Sequence, residues 1–260
     1  MGSQRLFLMF SAAIVLMATQ SFAHDAWLAA KWNSTKTRVL ISPLVAEKFP
    51  DGQAIKDWSR FIDPAAYTPG GSRMPLKGDP SDSTILGTVS PASVLIATSG
   101  VKQREIKLKR DLAQLVLTEE FGLTKEEAST YLTPGVEEFH ETYSRFLKTV
   151  VSVGGTKPSP KDSIVGLPLE LVLVSWENGA PGKTVVRFRV LDKGKTVANA
   201  PVRILQHGKT TMVRTESNGE ARAEIDGSLP VLFAYIKVTK VSDTQLTSLW
   251  TNLAVYHLEK

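Results

Sequence analysis

Apolar residues along the chain follow two rhythms. From residue 166 to residue 260 they come in short runs typical of strands. "LPLELVLV" (167–174) is almost continuously apolar. In "TVVRFRV" (184–190), Val186, Phe188 and Val190 alternate with Arg187 and Arg189, which predicts a strand with one wet face. "PVRIL", "ARAEI", "VLFAYIKV" and "NLAVYHL" supply further strands, separated by "LDKGKTV" and "ESNGEA". Within the latter, Asn218-Gly219 is a strong hairpin signal. About seven short strands with turns between them fit an immunoglobulin- or transthyretin-like β-sandwich.

Residues 24–110 also read as β-rich. Short strand-type runs (Ala26 to Ala30, Arg38 to Ile41, Ser93 to Thr98, Glu105 to Leu108) alternate with Pro/Gly-rich connections. The stretch from Asp63 to Pro91 reads as loop. Between the β regions, residues 111–155 have a helical rhythm. Thr124 and Glu127 stand at capping-box spacing. After Pro134-Gly135, apolar residues recur at steps of three and four (Val136, Phe139, Tyr143, Phe146, Leu147, Val150), while Arg145 and Lys148 fall on the far side. The expectation is therefore a mainly β protein with a helical insertion (α+β). Its helices would lie near 124–132 and 136–151, between a β-rich N-terminal lobe and a C-terminal β-sandwich domain. No internal repeat or low-complexity tract interrupts this plan.

Residues 1–23 follow a third pattern: Arg5, an apolar run from Leu6 to Met17, then Ser21-Phe22-Ala23. That is the layout of a secretory signal peptide cleaved after Ala23, and the run is shorter than the roughly 20 residues that span a bilayer. A retained anchor is the alternative, and no cysteine follows the run to take a lipid. The expected location is the periplasm, with no membrane span after cleavage. Removing Arg5 from 31 basic residues leaves 30 against 26 acidic ones. This mild excess, without a dense Lys/Arg block, does not point to nucleic acid. The chain has no cysteine, which excludes thiol catalysis and Cys-type zinc sites.

Several stretches together carry a resemblance: "HDAWL" after the apolar run, "ETYSRFLKTVVSVGG", "GLPLELVL", "VRFRVLDKGKTVANAPVRI", "RTESNGEARAEI" and "SLWTNLAVYHLEK". Over nearly all of residues 24–260 the chain resembles the exported bacterial family of domain-of-unknown-function proteins DUF4198, sometimes labelled as nickel-uptake associated. The resemblance implies a periplasmic, mostly β protein linked to transition-metal handling. It also implies a metal-uptake membrane complex or another envelope protein as partner. One departure concerns the end of a late core strand, where the family pattern suggests a histidine and this chain reads "VTK" (Val238 to Lys240).

Catalytic signatures are missing. No Walker-type phosphate loop, dinucleotide fingerprint or Gly-x-Ser-x-Gly elbow occurs. "HETYS" (140–144) begins like a zincin helix but has Ser144 in place of the second histidine, and Glu137-x-x-His140 lacks the second motif that a di-iron site needs. The expected role is therefore not enzymatic. Among His24, His140, His207 and His257, the first is special: cleavage would give it a free α-amine titrating near ~7.7–8.0 beside an imidazole near ~6.5. Such a pair suits nickel, cobalt or copper, with Asp25 adding an oxygen and His140 or His257 supplying a further nitrogen. The competing expectation is a metal-free sandwich module for protein or polysaccharide contact at the envelope, with Trp27, Trp32, Trp58, Trp176 and Trp250 as stacking surfaces.

Overall fold

The computed structural model describes residues 25–68, 71–78, 82–91, 94–154 and 160–259. In chain order the first strands are β1 (Asp25–Trp32), β2 (Val39–Ala46), β3 (Gln53–Ala54), β4 (Phe61–Tyr67), β5 (Arg73–Pro75), β6 (Gly87–Val89) and β7 (Val94–Lys109). Two short helices follow, α1 (Arg110–Leu115), which runs on into a π-helical turn over Val116–Glu120, and α2 (Lys125–Ser129). The remainder is β8 (Glu138–Val153), β9 (Leu169–Asn178), β10 (Lys183–Asp192), β11 (Lys195–Thr196), β12 (Pro201–Gln206), β13 (Lys209–Arg214), β14 (Glu220–Asp226), β15 (Val231–Lys240) and β16 (Gln245–Leu258).

The protein is mainly β with a small helical part, as expected, and its layers are sandwich-like. An eight-stranded sheet in the order β13-β12-β15-β16-β8-β7-β4-β5 forms the centre. All its neighbours are antiparallel except β8 and β16, which run parallel along their whole length. One face of this sheet (Ile96, Val150, Phe233, Val255) packs on the inner sides of β9, β10 and β14, where Leu171, Phe188 and Ala223 lie. Val186, Phe188 and Val190 are all buried there, so the alternation read in "TVVRFRV" is realised.

The other face is shared. Leu95, Leu147 and Val151 pack on the sheet of β1, β2, β3 and β6, while Phe139, Ile236 and Trp250 pack under α1, α2 and the turn between them. The capping box of α2 forms as its spacing predicts: Glu127 N–H donates to Thr124 Oγ1 at 3.1 Å, and Thr124 N–H to Glu127 Oε2 at 2.8 Å.

Four expectations are corrected. Residues 136–151 are not a helix; Glu138–Val153 is a 16-residue strand at the heart of the large sheet. The step-of-three-and-four stripe splits between two faces. Phe139, Leu147 and Val151 point one way, Phe146 and Val150 the other, and both faces are covered. A strand buried on both sides loses its period of two, and Thr142, Thr149, Val150, Val151 and Val153 supply the β-branched residues that favour it. Lys148, expected on a solvated side, is fully buried. The two halves are also not separate lobes, because β4, β5 and β7 share one sheet with β12, β13, β15 and β16. Finally, the Asp63–Pro91 stretch contributes strands β4, β5 and β6.

Candidate functional site

The first described residue, Asp25, starts β1 with its side chain buried on the helix-covered face of the large sheet. Both carboxylate oxygens are taken by Arg203 of β12: Nη2 donates to Oδ1 at 2.9 Å and Nη1 to Oδ2 at 3.2 Å. Asn252 Nδ2 of β16 donates to the same Oδ1 at 3.3 Å. A planar guanidinium held at two points by a carboxylate fixes orientation as well as distance. Arg203 Nη1 also lies 3.1 Å from Glu120 Oε2, at the end of the π-helical turn.

A second guanidinium completes the cluster. Arg145 of β8 is buried and stacks over the Trp250 ring at 4.3 Å and the Tyr143 ring at 5.3 Å. Register brings these groups together, since Tyr143 pairs with Ser248, Arg145 with Trp250 and Leu147 with Asn252 across the parallel strands. Glu141, on the same side of β8, accepts from the Ser248 hydroxyl, which in turn accepts from Trp250 Nε1 at 2.8 Å.

The electrostatics are unbalanced. Three carboxylates (Asp25, Glu120, Glu141) face two guanidiniums (Arg145, Arg203), an excess of one negative charge when all are ionised. Burial pushes the Glu141 carboxyl above its ordinary value, against the Ser248 and Trp250 hydrogen bonds that lower it. Burial raises Glu120 likewise, opposed by Arg203. Burial pushes the Arg145 guanidinium down, opposed by Tyr143, Asp25, Glu141 and Glu120. Glu141 Oε2 and Arg203 Nε are buried without a hydrogen-bond partner among the described residues. The cluster thus offers unsatisfied donor and acceptor capacity close to the start of β1.

The candidate ligands fare differently. His24 and the expected signal segment lie outside the described residues. Asp25 is present but gives both oxygens to Arg203, so it acts as an anchor. His140 is half-exposed on β8, 3.6 Å from Glu138 Oε1. His257 is on β16, with Nδ1 2.7 Å from Ser152 Oγ and Nε2 buried without a partner among the described residues. His140 pairs with Gln245 and His257 with Ser152 on the same strand pair, which separates the two histidines by roughly 40 Å at about 3.3 Å per residue. They cannot share a metal ion. No group of three or more His or acidic side chains among the described residues could hold one. Ser152 and His257 have the spacing of a nucleophile and base, but among the described residues no carboxylate orients the ring.

Of the tryptophans, Trp27 and Trp250 are core residues, and Trp32, Trp58 and Trp176 are part-buried. Trp32 and Trp58 donate to the carbonyls of Glu259 and Ser83. The "VTK" stretch ends β15, where Lys240 Nζ donates to Thr133 Oγ1 at 2.7 Å.

Arg203, Asn252, Arg145 and Glu141 were not foreseen as site residues. A signal existed for Arg203, a lone charge inside the otherwise apolar "PVRIL", and such a charge is tolerated only with a buried partner. Among the described residues no helix is long and apolar enough to cross a membrane.

Residues 21–234 match the family model described as a domain of unknown function, DUF4198, and the chain belongs to that family. Comparison with curated proteins and with solved structures finds no match in either.

Proposed function

We propose that this DUF4198 member is an exported, non-enzymatic accessory protein that holds nickel, cobalt or copper at its N-terminal end. It would serve a metal-uptake complex or another envelope partner. The observation that carries this reading is the buried excess of carboxylate at the start of β1, where Arg203 and Asn252 lock Asp25 in place. Cleavage after Ala23 leaves His24 as the first residue, one peptide unit from that anchor. Its α-amine and imidazole form a two-nitrogen chelate that suits copper(II) or nickel(II). Glu141 or Glu120, which are not held at two points as Asp25 is, completes the set, and a bound cation favours their ionised forms, which burial alone opposes.

The test is a titration of protein beginning at His24 with Ni(II), Co(II), Cu(II) and Zn(II), beside a form carrying one extra residue ahead of His24 and a His24→Ala form. Binding by the first form alone supports the reading. Equal binding by all three refutes the N-terminal grip. If none binds, and the protein captures an envelope partner in the presence of chelator, the metal-free sandwich module takes its place.

A further inference from the structure

On the opposite face of the large sheet a second buried charge cluster stands apart from the Asp25 site. Lys148 of β8 has a side chain with no solvent exposure, and its Nζ lies 2.8 Å from Asp162 Oδ1 and 2.7 Å from Glu170 Oε1. Those two carboxylates are 0% and 1% exposed. Two neighbours of Lys148 on its own face, Phe146 and Val150, belong to the apolar core that includes Leu169 and Leu171 of β9.

Three buried ionisable groups of this kind are costly as an ion cluster, because one carboxylate is left over and desolvation of each charge outweighs much of the attraction. The surrounding hydrogen bonds are also asymmetric. Glu170 is held by three backbone N–H groups, from Val165 at 2.9 Å, Gly166 at 2.9 Å and Leu167 at 3.2 Å. Asp162 receives Ser163 N–H on Oδ1 at 2.7 Å and Leu173 N–H on Oδ2 at 2.8 Å. Lys148 donates to Ser163 O and to Glu170 Oε1, each at 2.7 Å, which leaves its third direction to Asp162. Burial raises the Asp162 carboxyl, against the lowering effect of Lys148, so this carboxylate holds its charge at a cost.

We propose that Lys148 and Asp162 condense to an intramolecular amide, with Glu170 relaying the proton. Glu170 Oε1 takes one ammonium proton, and the freed lone pair of Nζ adds to Asp162 Cγ. Oδ2 carries the developing negative charge against the Leu173 N–H, in the manner of an oxyanion site. Glu170 then returns its proton to Oδ1, which takes a second proton from the nitrogen and departs as water as the C–O bond breaks. The ammonium and carboxylate charges vanish together, one N–C bond forms, and Glu170 ends as it began. No oxidant, metal or energy source enters. Fixed contact between the reacting groups replaces activation of the acid. A cavity of about 440 Å³ lined by Asp162, Ser163 and Ser152 receives the water. The bond staples the central strand β8 to the segment leading into β9.

Intact mass spectrometry of the denatured protein tests this, together with sequencing of its proteolytic peptides. The wild-type chain should be lighter than its sequence by one water molecule and should yield a branched peptide joining Lys148 to Asp162. Asp162→Ala and Glu170→Gln chains should have full mass. A wild-type chain at full mass, with Lys148 and Asp162 on separate linear peptides, overturns the proposal, and that reading does not depend on any variant folding. A Glu170→Gln chain that still forms the branch overturns the role of Glu170.

Discussion

Asp25 and Arg203 are 178 residues apart in sequence and meet as a two-point ion pair inside the protein, at 2.9 and 3.2 Å. The pair joins the first described strand to β12, on the far side of the large sheet from β4 and β5. It thereby ties the start of the chain to the half of the protein that folds from its last residues.

Breaking that pair from one side leaves a buried charge uncompensated. Asp25→Ala should destabilise by about 3–5 kcal/mol, read as a fall in the urea midpoint at constant slope. Replacing both partners with apolar residues, as in Asp25→Leu with Arg203→Met, should cost less than either single change. A double variant as unstable as the sum of the two singles would show that the pair does not act as a unit.

The strand assignment for Glu138–Val153 has its own test in two adjacent residues. Phe139 is fully buried against Trp250 and the helices, whereas the neighbouring His140 is half-exposed. Phe139→Ala should cost about 3–5 kcal/mol as a large-to-small core change. His140→Ala should stay within about 0.5 kcal/mol. Comparable losses at both positions would contradict the alternation.

The sequence was most readable where a strand has one wet face. Val186, Phe188 and Val190 announce their inner side because Arg187 and Arg189 sit between them, and Asn218-Gly219 marks the turn before β14. β8 hides its nature because both faces are covered, so that apolar residues at 146, 147, 150 and 151 follow no period of two and mimic a helical stripe. Its charges mislead in the same way. Arg145 and Lys148 look like a solvated flank, yet Arg145 faces Asp25 and Glu120 as well as Glu141 of its own strand, and Lys148 faces Asp162 and Glu170. The Asp25 site was legible only at its first residue. Its partners Arg203 and Asn252 lie 178 and 227 residues away, and the pairing of β12, β15 and β16, which sets both across from Ala234, brings them near.

Lys148 gives the strongest contrast with the helical reading, in which Phe146 is core and Lys148 is solvated. Lys148→Ala should leave Asp162 and Glu170 buried with neither ion pair nor amide to residue 148 and cost about 3–5 kcal/mol. Phe146 is only partly buried, so Phe146→Ala should cost less than the 3–5 kcal/mol of a fully enclosed aromatic. Denaturant unfolding of the two variants decides, and a nearly neutral Lys148→Ala would restore the solvated reading.

Glu141 predicts the pH dependence. Burial raises its carboxyl above the ordinary 4.5, so the folded protein holds this proton more tightly than the unfolded chain does. The stability it contributes is fully present below about pH 4.5 and is lost as pH rises through the higher folded value. A Glu141→Gln variant has no proton to lose and retains an oxygen to accept from the Ser248 hydroxyl. Its stability relative to wild type should therefore increase between about pH 4 and pH 8. Urea midpoints for both chains across that range give the comparison. A gap that stays constant would mean that Glu141 titrates alike in both states. A gap that moves in favour of wild type would mean that attraction to Arg145 outweighs the cost of burying the charge.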